Sequence, residues 1–446
     1  MRPRRTGPSP SPIATTRALA ILAIAVLVLA AGCSHGAGSG AGGGGQAASP
    51  GKPVSVVLWH GYTDAEQREL GKLVARFNAS HPQIHVTAQF YGNSDYALQK
   101  VLTALAGGKY PDIAYLFGSN AADIARSPKV VDLTGWSQAN AATWNDFWPG
   151  ERAAATVGGR VVGVPALVDN LALVYNKKLF DQAHLAYPTA SWTWDDFRNA
   201  AKRLTDPGKK QFGWAYVNDA SEDTVWRFEA LLWQAGGDIL TPDASAPAFN
   251  SPAGVKALQL LHDMSVVDHS VYLDSGNQAY LGLFDSGKIG MLWTGPWDLS
   301  DIRDHKVDYG VQILPGDQSH ATISGPDNWV LFDNGKARTQ AAEAFMTWFT
   351  APEQVLDWSL ATGDLPTRAA ATKLPGYRDY VARYPGVDVF TQNLANATKV
   401  RPTIQGYAKV SAALGQAVQS VLLGKADPSS ALSRAADDVT SALGAP

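Results

Sequence analysis

Several aromatic residues in this chain stand beside short runs of Gly, Pro, Asp and Asn. They are Trp59-His60, Tyr96, Gly118-Ser119-Asn120, Asp169-Asn170, Trp226, Gly295-Pro296-Trp297, Gly325-Pro326-Asp327-Asn328-Trp329 and Gly363-Asp364. A flat apolar ring beside a directional hydrogen-bonding group suits a carbohydrate, which offers C–H faces for stacking and a belt of hydroxyls for Asp and Asn. The chain carries 14 Trp, 15 Tyr and 14 Phe in 446 residues, so packing must absorb part of this supply. Trp348 and Trp358 sit within apolar helical spacing, and Trp192 and Trp194 in the helix-initiating Ser-Trp-Thr-Trp-Asp-Asp; these four are assigned to packing.

Signatures of catalysis are sparse. The body contains no H-E-x-x-H, no G-x-S-x-G and no G-x-x-x-x-G-K-[ST], and its histidines are scattered. One cysteine allows neither an internal disulfide nor a cysteine-based zinc site. No catalytic residue, metal or cofactor is therefore assigned. Glycoside hydrolysis stays open as an alternative, because it needs only two carboxylates about 5 to 9 Å apart, a distance that sequence does not fix. The adjacent pairs Asp195-Asp196 and Glu222-Asp223 read as helix N-terminal charges or solvated faces. A net charge of −3 provides no field for a polyanion, so nucleic acid is not an expected partner.

The N-terminus sets the compartment. Arg2, Arg4, Arg5 and Arg17 precede an uninterrupted apolar run from Ala18 to Ala31. That run is short for a bilayer core of about 30 Å and suits a cleaved signal peptide, residues 1–32. Leu29-Ala30-Ala31-Gly32-Cys33 resembles a lipobox, which implies cleavage before Cys33 and lipid attachment to its sulfur, with an extracytoplasmic protein anchored to the cell membrane. Residues 33–53 then form a Gly, Ala and Ser-rich tether with too little apolar surface to fold.

Beyond the tether, strand and helix patterns alternate. Val54 to Trp59 is a short β-branched run, and Leu70, Leu73, Val74 and Phe77 follow at helical spacing. Ile84, Val86, Ala88 and Phe90 alternate as a strand, Ala97 to Gly107 is helical, and Pro111 to Leu116 returns to strand. Such a β-α-β-α-β start predicts an α/β fold with a parallel layer. Residues 288–293 and 309–314 are strand-like, and the stretch from Val410 to Leu443 is mostly helical.

At these residues the chain resembles the extracellular solute-binding proteins of ABC importers, in the sugar-binding group that includes the maltose-binding and glycerol-3-phosphate-binding types. The resemblance rests on Leu58-Trp59-His60 with Leu73-Val74-Ala75-Arg76-Phe77-Asn78, on Pro111-Asp112-Ile113, and on Leu173-Val174-Tyr175-Asn176-Lys177. It continues in Trp192-Thr193-Trp194-Asp195-Asp196-Phe197 and in Phe284 to Met291 followed by Gly295-Pro296-Trp297. It implies a two-lobed periplasmic-binding-protein fold with a hinge and an interlobe cleft. Lobe 1 would comprise residues 54–168 plus 326–362, and lobe 2 residues 169–325 plus 363–446.

Site residues follow from the same resemblance. Tyr96 takes the place of a ligand-contacting tyrosine, and Ser119 and Asn120 stand where a relative has an acidic residue that Gly118 cannot replace. Asp169 lies at the lobe crossing as an acceptor for sugar hydroxyls, Trp297 matches a stacking tryptophan, and Gly325 is expected to turn a backbone N–H toward ligand. Asp364 replaces a tyrosine of the glycerophosphate type, and Arg401 or Tyr407 matches a late arginine. With Trp59, His60, Asn170, Trp226 and Asp327 from the aromatic and acidic clusters, these residues make up the expected site. A carboxylate at Asp364 repels phosphate, so a neutral or amino sugar, from mono- to oligosaccharide, is favoured over a glycerophosphodiester. The implied partners are the carbohydrate, ABC permease subunits and the membrane through the lipid, with the protein a monomer. A surface adhesion or sensory protein of the same fold is the remaining alternative.

Overall fold

The computed structural model describes residues 52–92, 97–276, 278–397 and 399–443. The expected signal segment, Cys33, the expected tether up to residue 51 and Tyr96 lie outside the described residues. Among those described, no helix is long and apolar enough to cross a membrane.

The strands are β1 (Val54–His60), β2 (Ile84–Phe90), β3 (Ile113–Phe117), β4 (Thr156–Val157), β5 (Arg160–Val161), β6 (Val164–Leu167) and β7 (Ala172–Asn176). They continue as β8 (Phe212–Val217), β9 (Val271–Asp274), β10 (Ile289–Thr294), β11 (Tyr309–Gln312) and β12 (Asp327–Leu331). Two five-stranded sheets result, ordered β2-β1-β3-β12-β6 and β11-β7-β10-β8-β9, while β4 and β5 form a small hairpin. The first sheet starts as predicted, with β1 parallel to both β2 and β3. It is not parallel throughout, because β12 runs antiparallel to β3 and to β6. Strand β12 arrives from the second sheet and enters at the end where β3 finishes, pairing Asp327 with Phe117. A strand arriving from that end can only run back against its neighbours. The second sheet mixes directions likewise, with β8 parallel to β9 and β10 but β7 antiparallel to β10 and β11.

Each sheet has its own core. Under the first, the helix Asp64–Ser80 buries Leu70, Leu73, Val74 and Phe77. Val56, Leu58, Trp329, Phe345 and Trp358 join them, and Trp348 packs at the edge. Under the second, Trp214, Trp293, Phe197 and Trp194 meet the helix Glu222–Gln234, with Trp192 at the edge. That helix is buried on nearly every face because the helices Tyr407–Leu422 and Pro252–His262 pack on it, with Pro428–Leu443 lying over those two. Asp196 completes a capping box with Thr193 at the start of the helix Trp194–Leu204, and Asp195 lies in its first turn.

Where the chain passes between the sheets, its crossings lie side by side. Val168 bridges Leu365, Asn170 bridges Ser324 and Ile323 bridges Lys399. Strands β1, β2, β3, β6, β8 and β9 all direct their carboxyl ends toward one space beside these crossings, the usual position of a ligand in an α/β fold.

Candidate functional site

The space is a cleft of about 500 Å³, within the range of small-molecule sites. Gly61, Phe90, Phe117 and Leu167 reach it from the first sheet; Val217, Asp274 and Trp297 reach it from the second. Of the residues expected from sequence, Asp169, Trp226, Trp297, Gly325, Asp327 and Arg401 come together on its walls.

The indoles of Trp226 and Trp297 form one side. Trp226 lies in the first turns of the helix Glu222–Gln234, and Trp297 in the turn Pro296–Asp298 after β10. Trp297 folds back over Gly295, whose missing side chain leaves room for the ring. Asp298 holds this turn: its carboxyl accepts hydrogen bonds from Thr294 Oγ1 at 2.5 Å and Tyr280 OH at 3.2 Å. Burial pushes that carboxyl up to about 7, against the opposing pull of these donors and of Arg227. Arg227 is itself fully buried, ion-pairs with Asp223 and donates from Nε to the Trp293 carbonyl at 3.1 Å.

Asp169 sits at the lobe crossing. Gly325 N–H donates to its Oδ1 at 3.0 Å, and Ser324 Oγ donates to its carbonyl at 2.9 Å. The Gly325 N–H is therefore spent on Asp169 rather than turned to ligand. Glycine is nevertheless required there, since a Cβ would lie 2.5 Å from Asp169 Oδ1 and 3.1 Å from Trp226 Cζ2.

Asp327, the first residue of β12, accepts from Tyr115 OH at Oδ2 and from Arg401 Nη2 at 3.5 Å at Oδ1. Arg401 also reaches Glu222 Oε1 at 3.4 Å and lies over the Phe117 ring at 5.1 Å, while its buried Nε has no protein partner. Burial raises the Asp327 carboxyl to about 6 in spite of Arg401. Asp169 is raised too, by burial and by the charge of Asp327.

The remaining expected residues lie elsewhere. Trp59 donates from Nε1 to Gln89 at 3.0 Å, outside the cleft lining, and His60 is buried between Tyr62 and Phe90. Burial lowers that imidazole to about 4, leaving it neutral. Ser119 and Asn120 are buried in the turn after β3, and Asn170 braces the hinge through Phe390 O and Asn393. Tyr407 stands behind the wall, its hydroxyl 2.9 Å from Glu222 Oε1 and 2.8 Å from Glu229 Oε1. Asp364 is also behind the wall, accepting from Trp358 Nε1 at 2.7 Å and touching Glu66; burial raises it to about 6.

Sequence reasoning missed Glu66, Glu222, Asp223 and Arg227, which line the cleft. Glu66 and Glu222 occupy first turns of helices that follow β1 and β8, where charge serves capping as readily as binding. Their place in a strand-to-helix connection at the carboxyl end of a sheet is the signal that could have found them. Among the described residues, no group of three or more His, Cys, Asp or Glu is placed to hold a metal ion.

Known proteins share this fold. The chain is 24% identical over 400 residues to the sn-glycerol-3-phosphate-binding periplasmic protein UgpB of Pectobacterium atrosepticum, covering 86% of this chain and 89% of that protein. Among solved structures, an ABC transporter solute-binding protein of Thermotoga lettingae bound with alpha-D-tagatose matches with a TM-score of 0.79 and 25% identity, over 88% of this chain and 100% of that one. The cyclic alpha-maltosyl-1,6-maltose binding protein of Arthrobacter globiformis matches with a TM-score of 0.73 and 29% identity, over 88% and 99%. These relatives bind solutes and are not enzymes, and the present fold is the two-lobed fold they share. The model of the bacterial extracellular solute-binding proteins matches residues 63–356, which takes in the second sheet, all of the first but β1, and most of the cleft lining, and the chain belongs to that family.

Proposed function

We propose that this protein is the substrate-binding lipoprotein of an ABC importer, which captures a carbohydrate in the cleft and delivers it to the permease. The observation that carries this reading is the Trp226 and Trp297 ring pair beside Asp169, with both cleft arginines already held by carboxylates. Aromatic faces stack on sugar C–H surfaces, and Asp169 and the free Arg401 Nε–H supply an acceptor and a donor for hydroxyls. Arg401 faces two carboxylates, so a phosphate entering the cleft meets no net positive charge. The relative named for sn-glycerol-3-phosphate supports a second reading, binding of glycerol-3-phosphate or of a glycerophosphodiester that contains it.

Lobe 1 would be residues 54–168 with 326–362, and lobe 2 residues 169–325 with 363–446, closing on ligand about the crossings at Asp169 and Gly325. Closure would exclude water and strengthen each polar contact. Lipid on Cys33 and the tether to residue 53 would hold the protein, as a monomer, outside the cytoplasmic membrane near its permease. Titration of the protein with mono- and disaccharides and with glycerophosphodiesters tests the ligand class. Saturable binding of a saccharide is expected, and binding of the phosphodiesters alone would replace this reading with the second.

A further inference from the structure

We propose that the saccharide held in the cleft carries a protonated amine, received by the Glu66 and Asp169 carboxyls beside the nitrogen-bearing edge of Trp226. This rests on the carbohydrate reading and names a substrate class within it.

Charge balance is the first ground. Arg227 and Arg401 are the cationic side chains among the described lining residues, and each is matched by carboxylates of its own, Asp223 for one and Glu222 with Asp327 for the other. Glu66 and Asp169 have no such ion pair among the described residues. Asp364 adds a further carboxyl, 1% exposed and hydrogen-bonded to Glu66, so that the pair shares a proton. Carboxyls crowded in this way resist ionising together, and a cation that enters among them relieves the repulsion.

Trp226 supplies the second, independent ground. It is 7% exposed and its Nε1 has no hydrogen-bond partner. Its Cζ2, which shares a bonded neighbour with Nε1, and Asp169 Oδ1 converge on the point that Gly325 leaves without a Cβ, at 3.1 and 2.5 Å. An indole N–H can only donate, and an ionised carboxylate can only accept. A ligand that satisfies both presents an acceptor oxygen and a donor close together; an aminated sugar does so with a hydroxyl next to an ammonium, and unlike a pair of hydroxyls it also balances the carboxyl charge. The faces of Trp226 and Trp297 favour a cation over a neutral group at the same place.

Binding of matched sugars tests this on the mature protein at pH 6.5. Each mono- or disaccharide of a panel is compared as its 2-amino and its 2-hydroxyl form, with glycerophosphocholine and glycerol-3-phosphate alongside. We expect the best amine to bind at least about tenfold tighter than its hydroxyl partner. Glu66→Gln should narrow that ratio while the melting temperature stays close to that of the parent. Equal or tighter binding by the hydroxyl form would overturn the amine while leaving the carbohydrate reading intact. Binding of the phosphate compounds alone would overturn both.

Discussion

The indole rings of Trp226 and Trp297 lie 5.6 Å apart with their planes inclined by 35°, one carried by a core helix and the other by the turn after β10. The two rings form a continuous aromatic wall on the side of the second sheet, facing Phe117 and Asp327 from the first. They differ in what else they do. Trp226 belongs to the buried core, whereas Trp297 packs against its margin. Trp297→Ala should therefore weaken ligand binding by at least about tenfold with the fold intact, and Trp226→Ala should also lower the melting temperature. Calorimetric titration combined with thermal melts separates the two effects.

Asp169 and Gly325 act as one unit. Asp169→Ala should cost at least about tenfold in affinity, by loss of the acceptor at the lobe crossing. Gly325→Ala should cost a similar amount without touching the carboxylate chemically, because the new Cβ displaces Asp169 Oδ1 and the edge of Trp226. If Gly325→Ala binds as the parent does, this convergence plays no part in recognition.

Asp298 gives the site a pH signature. Its folded carboxyl titrates near 7 and its unfolded one near 3.8. Folding thus takes up a proton between those values, so the stability this group contributes is complete below about 3.8 and is lost as pH rises toward 7. Asp298→Asn mimics the neutral form at every pH. The melting temperature of the variant minus that of the parent should become more positive from pH 5 to pH 8, and a flat difference would show that Asp298 is ionised throughout.

Arg401 ties strand β12 to the helix Glu222–Gln234 through the buried Asp327 and the partly buried Glu222. Arg401→Met leaves both unpaired and should destabilise the protein by about 3 kcal/mol, the low end for broken buried ion pairs because the contacts are long. Adding Asp327→Asn to that variant should restore part of the loss. Chemical denaturation of the two variants measures it; additive losses would mean that Arg401 and Asp327 do not interact.

Much of the first layer was legible in the sequence. Helical spacing in Leu70, Leu73, Val74 and Phe77 and alternation from Ile84 to Phe90 reflect which faces are buried, and burial is what those periods encode. The direction of β12 was not legible, because it depends on the end at which the chain re-enters the sheet. Within the site, Asp169, Trp226, Trp297, Gly325, Asp327 and Arg401 meet in the cleft. Trp59 and His60 were grouped by adjacency, yet neighbours on a strand point to opposite faces, and neither lines the cleft. Glu66 and Glu222 were hidden by their resemblance to ordinary helix-terminal charges.

Tryptophan fluorescence during sugar titration tests the central claim most directly, since two of the proposed contact residues are among the reporters. The account predicts a saturable change with at least one saccharide, a rise in melting temperature at saturation, and loss of most of the signal in Trp297→Ala. No response to any mono-, di- or amino sugar, with a saturable response to a glycerophosphodiester, would contradict it.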